Sequence, residues 1–370
     1  NRADCFCIRG VAREVAAMNG LVQTPPQVSV VEESIEVKVA VQMQATEQCP
    51  IYISRVIKGI DNQASTPLWM IEKLRRTGVK SIHPVVDVTN YVMMELGQPM
   101  HAFDKASIEG DLVVRMAQND EELTLLDDSN VKLNESFLLI ADEKKALAVA
   151  GVMGGAESGV NTNTQDIVLE SAYFDPATIM GKSRKLGVHT ESGLRFERGV
   201  DVALQEEAME RATQLIVEIC GGQVAPMNKN LSEAHVPASQ TITLTSEKLK
   251  RVLGFDVADD RVTEIFQGLG LATEFNSGAW TVHTPSWRFD LEIAEDLVEE
   301  VVRVVGYDQM PALRLHSTDA IRVIPEQIRQ EKQIKLHLAD LAYQEVINYA
   351  FVADKQLKDL GLDAGAITLA

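Results

Sequence analysis

The sequence predicts an α+β, multidomain chain. A mixed α/β module over 45–225 is followed by a small winged-helix-like module over 237–312 and by the start of a further domain over 313–370. Three observations carry this reading. The chain has 370 residues against ~100–200 for a typical domain, so one small module is excluded. Hydrophobic residues make up 45% and charged residues 24%, without a low-complexity tract, so the chain can bury real cores and disorder is not its default. Its pattern also changes along the chain, from short strands broken by turns, through helices, to a helix, helix, hairpin and helix run.

The elements follow in order. Cys7, Ile8, Val11, Val15 and Met18 fall near helical spacing and Gly20 stands where a C-terminal glycine stops a helix, so residues 1–20 read as helical. After the break at Thr24-Pro25-Pro26, residues 28–41 alternate apolar residues with Glu32, Glu33, Glu36 and Lys38, which predicts a strand with one wet face. Residues 1–44 thus precede the main module. Thr66-Pro67 predicts an N-cap followed by proline at the first helical position, with Leu68, Ile71 and Leu74 carrying the helix to Gly78. Short strands are predicted at 123–126, 137–141, 147–149 and 167–169. Two helices follow, 176–186 closed by Gly187, and a long one from Asp201 as N-cap to Cys220, closed by Gly221-Gly222. Residues 223–239, with Pro226 and Pro237, read as an interdomain linker. Beyond it Ser246 caps a helix to Leu253, and Asp259 or Asp260 caps another to Gln267. Asn276-Ser277-Gly278 turns a hairpin between 271–275 and 280–283, and a third helix covers 291–305. A last helix is predicted from Glu326.

Lys and Arg number 35 against 54 Asp and Glu, so the net charge of −19 repels polyanions. General coating of DNA is disfavoured, and any nucleic-acid contact needs a local basic patch or a partner. No apolar run approaches the ~18–20 residues that span a bilayer, so the expectation is a soluble, cytoplasmic protein without a membrane partner. Cys5, Cys7, Cys49 and Cys220 match neither a disulfide framework nor a zinc quartet. The opening at Asn1 without Met and the apolar close at Ile367-Thr368-Leu369-Ala370 suggest a piece of something longer.

Each chemical motif has a bland reading beside it. Gly181-Lys182-Ser183 is no phosphate loop, because Pro176 stands where that pattern needs glycine. Gly151-Val152-Met153-Gly154-Gly155 lacks dinucleotide-binding spacing; it reads as a tight turn or as backbone brought close to a ligand. There is no H-E-x-x-H and no G-x-S-x-G, so metallohydrolase and covalent-hydrolase readings lack support. Glu170, at the end of an apolar strand, needs a donor for a semi-buried carboxylate, and Arg195 or Arg198 could supply one as a structural ion pair. His101 reads as a loop histidine, packed, capping or catalytic. In the 291–305 helix Asp296, Glu299 and Glu300 share the arc opposite Leu297 and Val301. With Asp290 they could hold a hard cation such as Mg²⁺, or form a solvated acidic face with Glu299 paired to Arg303.

Five strings together resemble the bacterial phenylalanyl-tRNA synthetase β-subunit family: Asn1-Arg2-Ala3-Asp4-Cys5, Asp87-Val88-Thr89-Asn90-Tyr91, Gly97-Gln98-Pro99-Met100-His101-Ala102-Phe103-Asp104, Gly151-Val152-Met153-Gly154-Gly155 and Arg195-Phe196-Glu197-Arg198-Gly199-Val200-Asp201. The likeness continues into Pro285-Ser286-Trp287-Arg288-Phe289-Asp290 and Val305-Gly306-Tyr307. It implies an internal fragment: part of the B1 region, a B3/B4 editing module at 45–225, a B5 module, and the start of an inactive catalytic-like domain that packs on an α subunit. It further implies an α₂β₂ ligase that charges tRNA(Phe) using ATP, with the synthetic site on α, so that the fragment alone does not aminoacylate and does not bind the ATP. The editing module would hydrolyse Tyr-tRNA(Phe). By resemblance Glu170 accepts the tyrosine phenol, Gly154 leaves room beside it, and His101 and Thr190 position the ester end and the attacking water. Asp290, Asp296, Glu299 and Glu300 match Mg²⁺ positions shared with α. The chain departs from the family at Ser192-Gly193-Leu194, where relatives often carry Ala at the first position, and Ser192 could bind or crowd the phenol. A non-catalytic scaffold that binds tRNA and α is the second reading.

Overall fold

The computed structural model describes residues 2–312 and 330–362, and the chain divides into two units, Asn1–Pro311 and Ala312–Ala370. In the first unit α1 (Ile8–Asn19) starts where the Cys7 sulfur accepts from the Gly10 N–H and stops at Gly20, whose φ of 63° a side chain would resist. The alternating stretch after it forms no strand before β1 (Val41–Met43). It is instead a strap. Ile35, Val37 and Val39 pack on the core, while Ser34 and Ile35 donate their N–H groups to the Val224 carbonyl. Side-chain alternation was present, but the strap's backbone is not part of a ladder.

β2 (Ile51–Lys58) is buried along almost its whole length and leads to α2 (Leu68–Arg76). The predicted cap is displaced here: Pro67 occupies the N-cap, and the Thr66 hydroxyl donates to Asp87. α3 (Pro84–Leu96) was not predicted as a helix, since it is buried on most sides and shows no polar stripe. β3 (Met100–Asp104) follows, so His101 lies in a strand and not in a loop. Then come β4 (Leu112–Met116), β5 (Glu121–Thr124), β6 (Asn130–Leu133), β7 (Leu138–Ala141), β8 (Ala146–Val149), β9 (Met153–Gly154) and β10 (Ile167–Tyr173). Glu170 is therefore at the middle of its strand, not its end.

Gly181, at φ 73°, splits the single helix expected at 176–186 into α4 (Pro176–Ile179) and α5 (Lys182–Leu186). α6 (Glu191–Arg198) had no sequence forecast, and α7 (Gln205–Cys220) begins after Asp201, which caps a preceding turn through the Ala203 N–H. β11 (Gln223–Val224) and β12 (Asn228–Leu231) fall inside the expected linker and correct it: both pair with β2, so the first module runs to Leu231. One sheet has the order β1-β4-β7-β8-β9, parallel only between β1 and β4; the other runs β11-β2-β10-β3, antiparallel throughout. α7 covers one face of the second sheet, where Ser171 Oγ donates to the Gln205 carbonyl.

The second module contains β13 (Thr241–Thr245), α8 (Ser246–Leu253), α9 (Asp259–Gly268), β14 (Ala272–Asn276), β15 (Ala279–His283) and α10 (Ala294–Val305). Its helix, helix, hairpin and helix order follows the sequence reading, with β13 added as an edge strand in the order β13-β15-β14. Ser277 and Gly278 both take positive φ, 51° and 79°, as a tight hairpin turn between right-twisted strands requires. The α8 cap is Thr245, one residue before Ser246, and Ala258, not Asp259, precedes α9. Leu244, Leu249, Phe266, Trp280, Leu297 and Val301 form a core separate from that of the first module. In the second unit α11 (Glu331–Asp340) and α12 (Asp354–Asp359) bury no residue, and the predicted helix start at Glu326 lies outside the described residues. Among the described residues no helix is long and apolar enough to cross a membrane.

Candidate functional site

The site is set by register. On β10, Glu170 stands directly opposite His101 of β3 and Ser54 of β2, and side chains opposite one another share a face. Tyr52, two residues from Ser54, lies on that face too, and its phenol donates to Glu170 Oε2 at 2.9 Å. This corrects the expected ion pair: Arg195 instead donates to Glu191 and to the Phe6 carbonyl, and Glu170 meets no guanidinium among the described residues. Tyr52 is fully buried, and Glu170 is 7% exposed.

Facing these strands is a cavity of about 200 Å³. His101, Glu170, Gly151, Gly154, Ser192 and Phe196 line it, with Asn90 and Met100 at its wall. The volume exceeds the ~150 Å³ of an engineered protein cavity that binds benzene, so a ring-sized group fits. Gly154 is needed for space, because a Cβ there would fall 2.5 Å from His101 Cε1 and 2.8 Å from Nε2. Gly193 lies where α6 approaches α5: a Cβ there would fall 2.3 Å from Ser183 Oγ, so that hydroxyl would have to turn away.

Burial pushes the Glu170 carboxyl up to about 7, although the Tyr52 hydrogen bond works against the rise. Burial likewise lowers His101 to about 4, so its imidazole is neutral at pH 7, and its Nε2 has no hydrogen-bond partner among the described residues. Ser192 Oγ donates to the Gly151 carbonyl at 3.1 Å, which fixes the hydroxyl at the cavity rim. Thr190 is placed differently from expectation. It caps α6, accepting from the Gly193 N–H and donating to the Val152 carbonyl, both at 2.9 Å, so its hydroxyl holds the wall. The structure thus gathers His101, Gly154, Glu170 and Ser192 and sets Thr190 behind them. Sequence reasoning missed Tyr52, whose polar tip in the apolar run Ile51-Tyr52-Ile53 was the available signal.

The four expected metal ligands do not form a cradle. Glu300 is buried on α10, not on its wet arc, and accepts from Arg288 at 2.7 Å and from Arg303. Arg288 also grips Asp290 through two hydrogen bonds of 2.8 and 2.9 Å, placing a cation between the two carboxylates. Asp296 accepts from the Glu292 and Ile293 N–H groups, and Glu299 is exposed. Arg303 pairs with Glu300 and Glu14, not with Glu299. Burial would raise the Glu300 carboxyl, but the hydrogen bonds from Arg303 and Arg288 prevail and hold it at about 2. A set in which guanidinium groups already neutralise two of the four carboxylates, Asp290 and Glu300, does not fit an Mg²⁺ shell.

Residues 48–221 match the B3/4 domain family, and residues 242–307 match the tRNA synthetase B5 domain family. The phenylalanine–tRNA ligase beta subunit of Vibrio parahaemolyticus is 51% identical over 364 residues, covering 97% of this chain and 45% of that protein. That of Vibrio cholerae is 50% identical over 366 residues, 98% of this chain and 46% of that protein. A solved N-terminal fragment of the phenylalanyl-tRNA synthetase beta-subunit from Pyrococcus horikoshii has 15% identity and a TM-score of 0.40, covering 83% of this chain and 85% of that one. The chain spans about 45% of the length of the curated relatives it matches.

Proposed function

The chain belongs to the phenylalanine–tRNA ligase beta-subunit family, and from that premise we propose that the cavity beside Glu170 is an editing site that hydrolyses Tyr-tRNA(Phe) within an α₂β₂ ligase. The observation that carries the reading is a buried carboxylate at the end of a ring-sized cavity, with one oxygen taken by Tyr52 and none by a cation among the described residues. A pocket built for phenylalanine rejects an added hydroxyl only about 10²-fold, so tyrosine is sometimes attached. A second pocket that must satisfy a buried acceptor reverses the preference, because phenylalanine leaves the acceptor unpaired.

The chemistry asks for no protein nucleophile. Water adds to the ester carbonyl, the bond to the terminal ribose oxygen breaks, and that oxygen leaves with a proton as free tyrosine is released. His101, neutral and with an unpartnered Nε2 beside Gly154, orients the ester end or the water; Ser192 borders the ring. ATP, the synthetic site and the charging of tRNA(Phe) belong to the whole ligase and its α subunit, working in the cytoplasm. The commitment of the Thr190 hydroxyl to the wall supports the second reading, a tRNA- and α-binding scaffold without editing.

The test uses the intact ligase and Tyr-tRNA(Phe). Gly154→Ala drives a methyl against the His101 ring, and is expected to slow deacylation on the order of 10²-fold while leaving Phe-tRNA synthesis intact. Equal deacylation by Gly154→Ala and wild type contradicts this placement of the substrate. Wild type at the buffer rate leaves the scaffold reading.

A further inference from the structure

The Glu170 carboxylate is held by a group that the proposed reaction does not itself use. Tyr52 sits on β2, next but one to the residue opposite Glu170, and a diagonal cross-strand pair is within reach of an aromatic side chain. Its ring is fully buried, so rotation about its side-chain torsions is restricted by packing, and its phenolic proton points at one carboxylate oxygen, Oε2, at 2.9 Å. Oε1 accepts from no side chain or backbone group among the described residues, and Glu170 lines the cavity.

We propose that Tyr52 is the positioning residue of this pocket: by occupying Oε2 it presents Oε1 to the cavity as the single acceptor for a guest hydroxyl, and so sets the pocket's preference for a phenol over a bare ring. The inference rests on the editing reading for its substrate but on β-sheet geometry for its mechanism. A carboxylate without Tyr52 could turn either oxygen inward or take its own proton and become a donor. With Tyr52 in place one oxygen is fixed, and the hydrogen bond favours the ionised form that accepts.

The groups that bear on this carboxylate are few. His101 faces it from β3, Tyr52 from β2, and Cys49, just before β2, is near enough to feel the Glu170 charge. Arg55 and Glu210 pair with each other on the opposite face, beneath α7. Neither histidine nor thiol carries charge at neutral pH, since burial lowers the first and raises the second. Tyr52 is thus the chief protein group able to favour the ionised carboxylate.

Tyr52→Phe keeps the ring and removes the proton donor. Two readouts are needed. In the chain itself the Glu170 carboxyl is titrated by infrared difference spectroscopy, identified by its loss in Glu170→Gln. Wild type is expected to titrate near 7, and Tyr52→Phe at a higher pH. An unchanged midpoint overturns the inference, whatever the protein does to RNA. In the intact ligase the preference for hydrolysing Tyr-tRNA over Phe-tRNA is expected to fall about tenfold at neutral pH in Tyr52→Phe and to recover as the pH rises past the new midpoint. A loss that is equal at every pH means that the hydroxyl acts on packing and not on the Glu170 carboxylate, and overturns it. Tyr-selective wild-type hydrolysis with an unaltered variant profile rejects Tyr52's role while keeping the editing site. Wild type without hydrolysis rejects the editing site, and the carboxyl titration still decides whether Tyr52 holds Glu170.

Discussion

Two buried glutamates in this chain have opposite fates. Glu170, in the first module, is surrounded by a phenol, a neutral imidazole and an empty-sided cavity, and its carboxyl is pushed up to about 7. Glu300, on α10 of the second module, is as deeply buried but takes hydrogen bonds from Arg288 and Arg303, with Arg2 near, and is held at about 2. Burial is common to both, so burial does not decide whether a carboxylate keeps an oxygen free. The donors do. A carboxylate whose two oxygens are both engaged by guanidinium groups has its charge already compensated, whereas one with a single phenol keeps an oxygen for a guest.

The largest effect expected from this contrast is on stability. Glu300→Ala removes one of the two carboxylates that hold the buried Arg288, leaving it Asp290 alone, and is expected to destabilise the first unit by about 3 kcal/mol, read from chemical denaturation. Because Arg303 also joins α10 to Glu14 of α1, the loss should loosen the contact between α1 and the second module as well. A change below about 1 kcal/mol would mean that this network is no more than a surface pair.

The next effect concerns pH, and the two glutamates act with opposite sign. Glu300 has a folded value of about 2, below its ordinary 4.5, so its contribution is present above 4.5 and is lost as the pH falls toward 2. Glu170 has a folded value of about 7, above the same 4.5, so the folded chain holds an extra proton between those values and stability is lost as the pH rises through 7. Glu170→Gln removes that slope. Relative to wild type it should gain stability from about pH 5 to about pH 8, by at most on the order of 3 kcal/mol. A flat difference over that range would show that Glu170 is already ionised in a wet site.

How far the two regions could be read from sequence differs for the same physical reason. The second module is built of local signals: a hairpin turn at Ser277-Gly278, acidic residues in the first turn of α9, a glycine after α8. Its elements were therefore legible to within a few residues. The first module depends on contacts distant in sequence. β11 and β12 looked like linker because nothing local to 223–231 reports that β2 lies beside them. The strap at 28–40 looked like a strand because its side chains alternate, although its backbone joins no ladder.

The same holds at the site. Glu170, His101, Gly154 and Ser192 were legible through family resemblance, but not the register that puts Glu170 opposite His101. Tyr52 carried only a weak local signal, its polar tip in an apolar run, and its partner follows from the register. Glu300 was misplaced, because helical spacing sets it beside Ile293 at the edge of the apolar arc and not opposite Leu297, and the Arg288 and Arg303 side chains that neutralise it allow a carboxylate there.

The most direct measurement is deacylation of Tyr-tRNA(Phe) and Phe-tRNA(Phe) by the intact ligase that the proposed function assigns to this chain, wild type beside Glu170→Ala. The expected result is rapid wild-type hydrolysis of the tyrosyl ester, slow hydrolysis of the phenylalanyl ester, and a selectivity that falls on the order of 10²-fold in Glu170→Ala. Undiminished selectivity in that variant would contradict the account, because the hydroxyl would then be recognised by some other group.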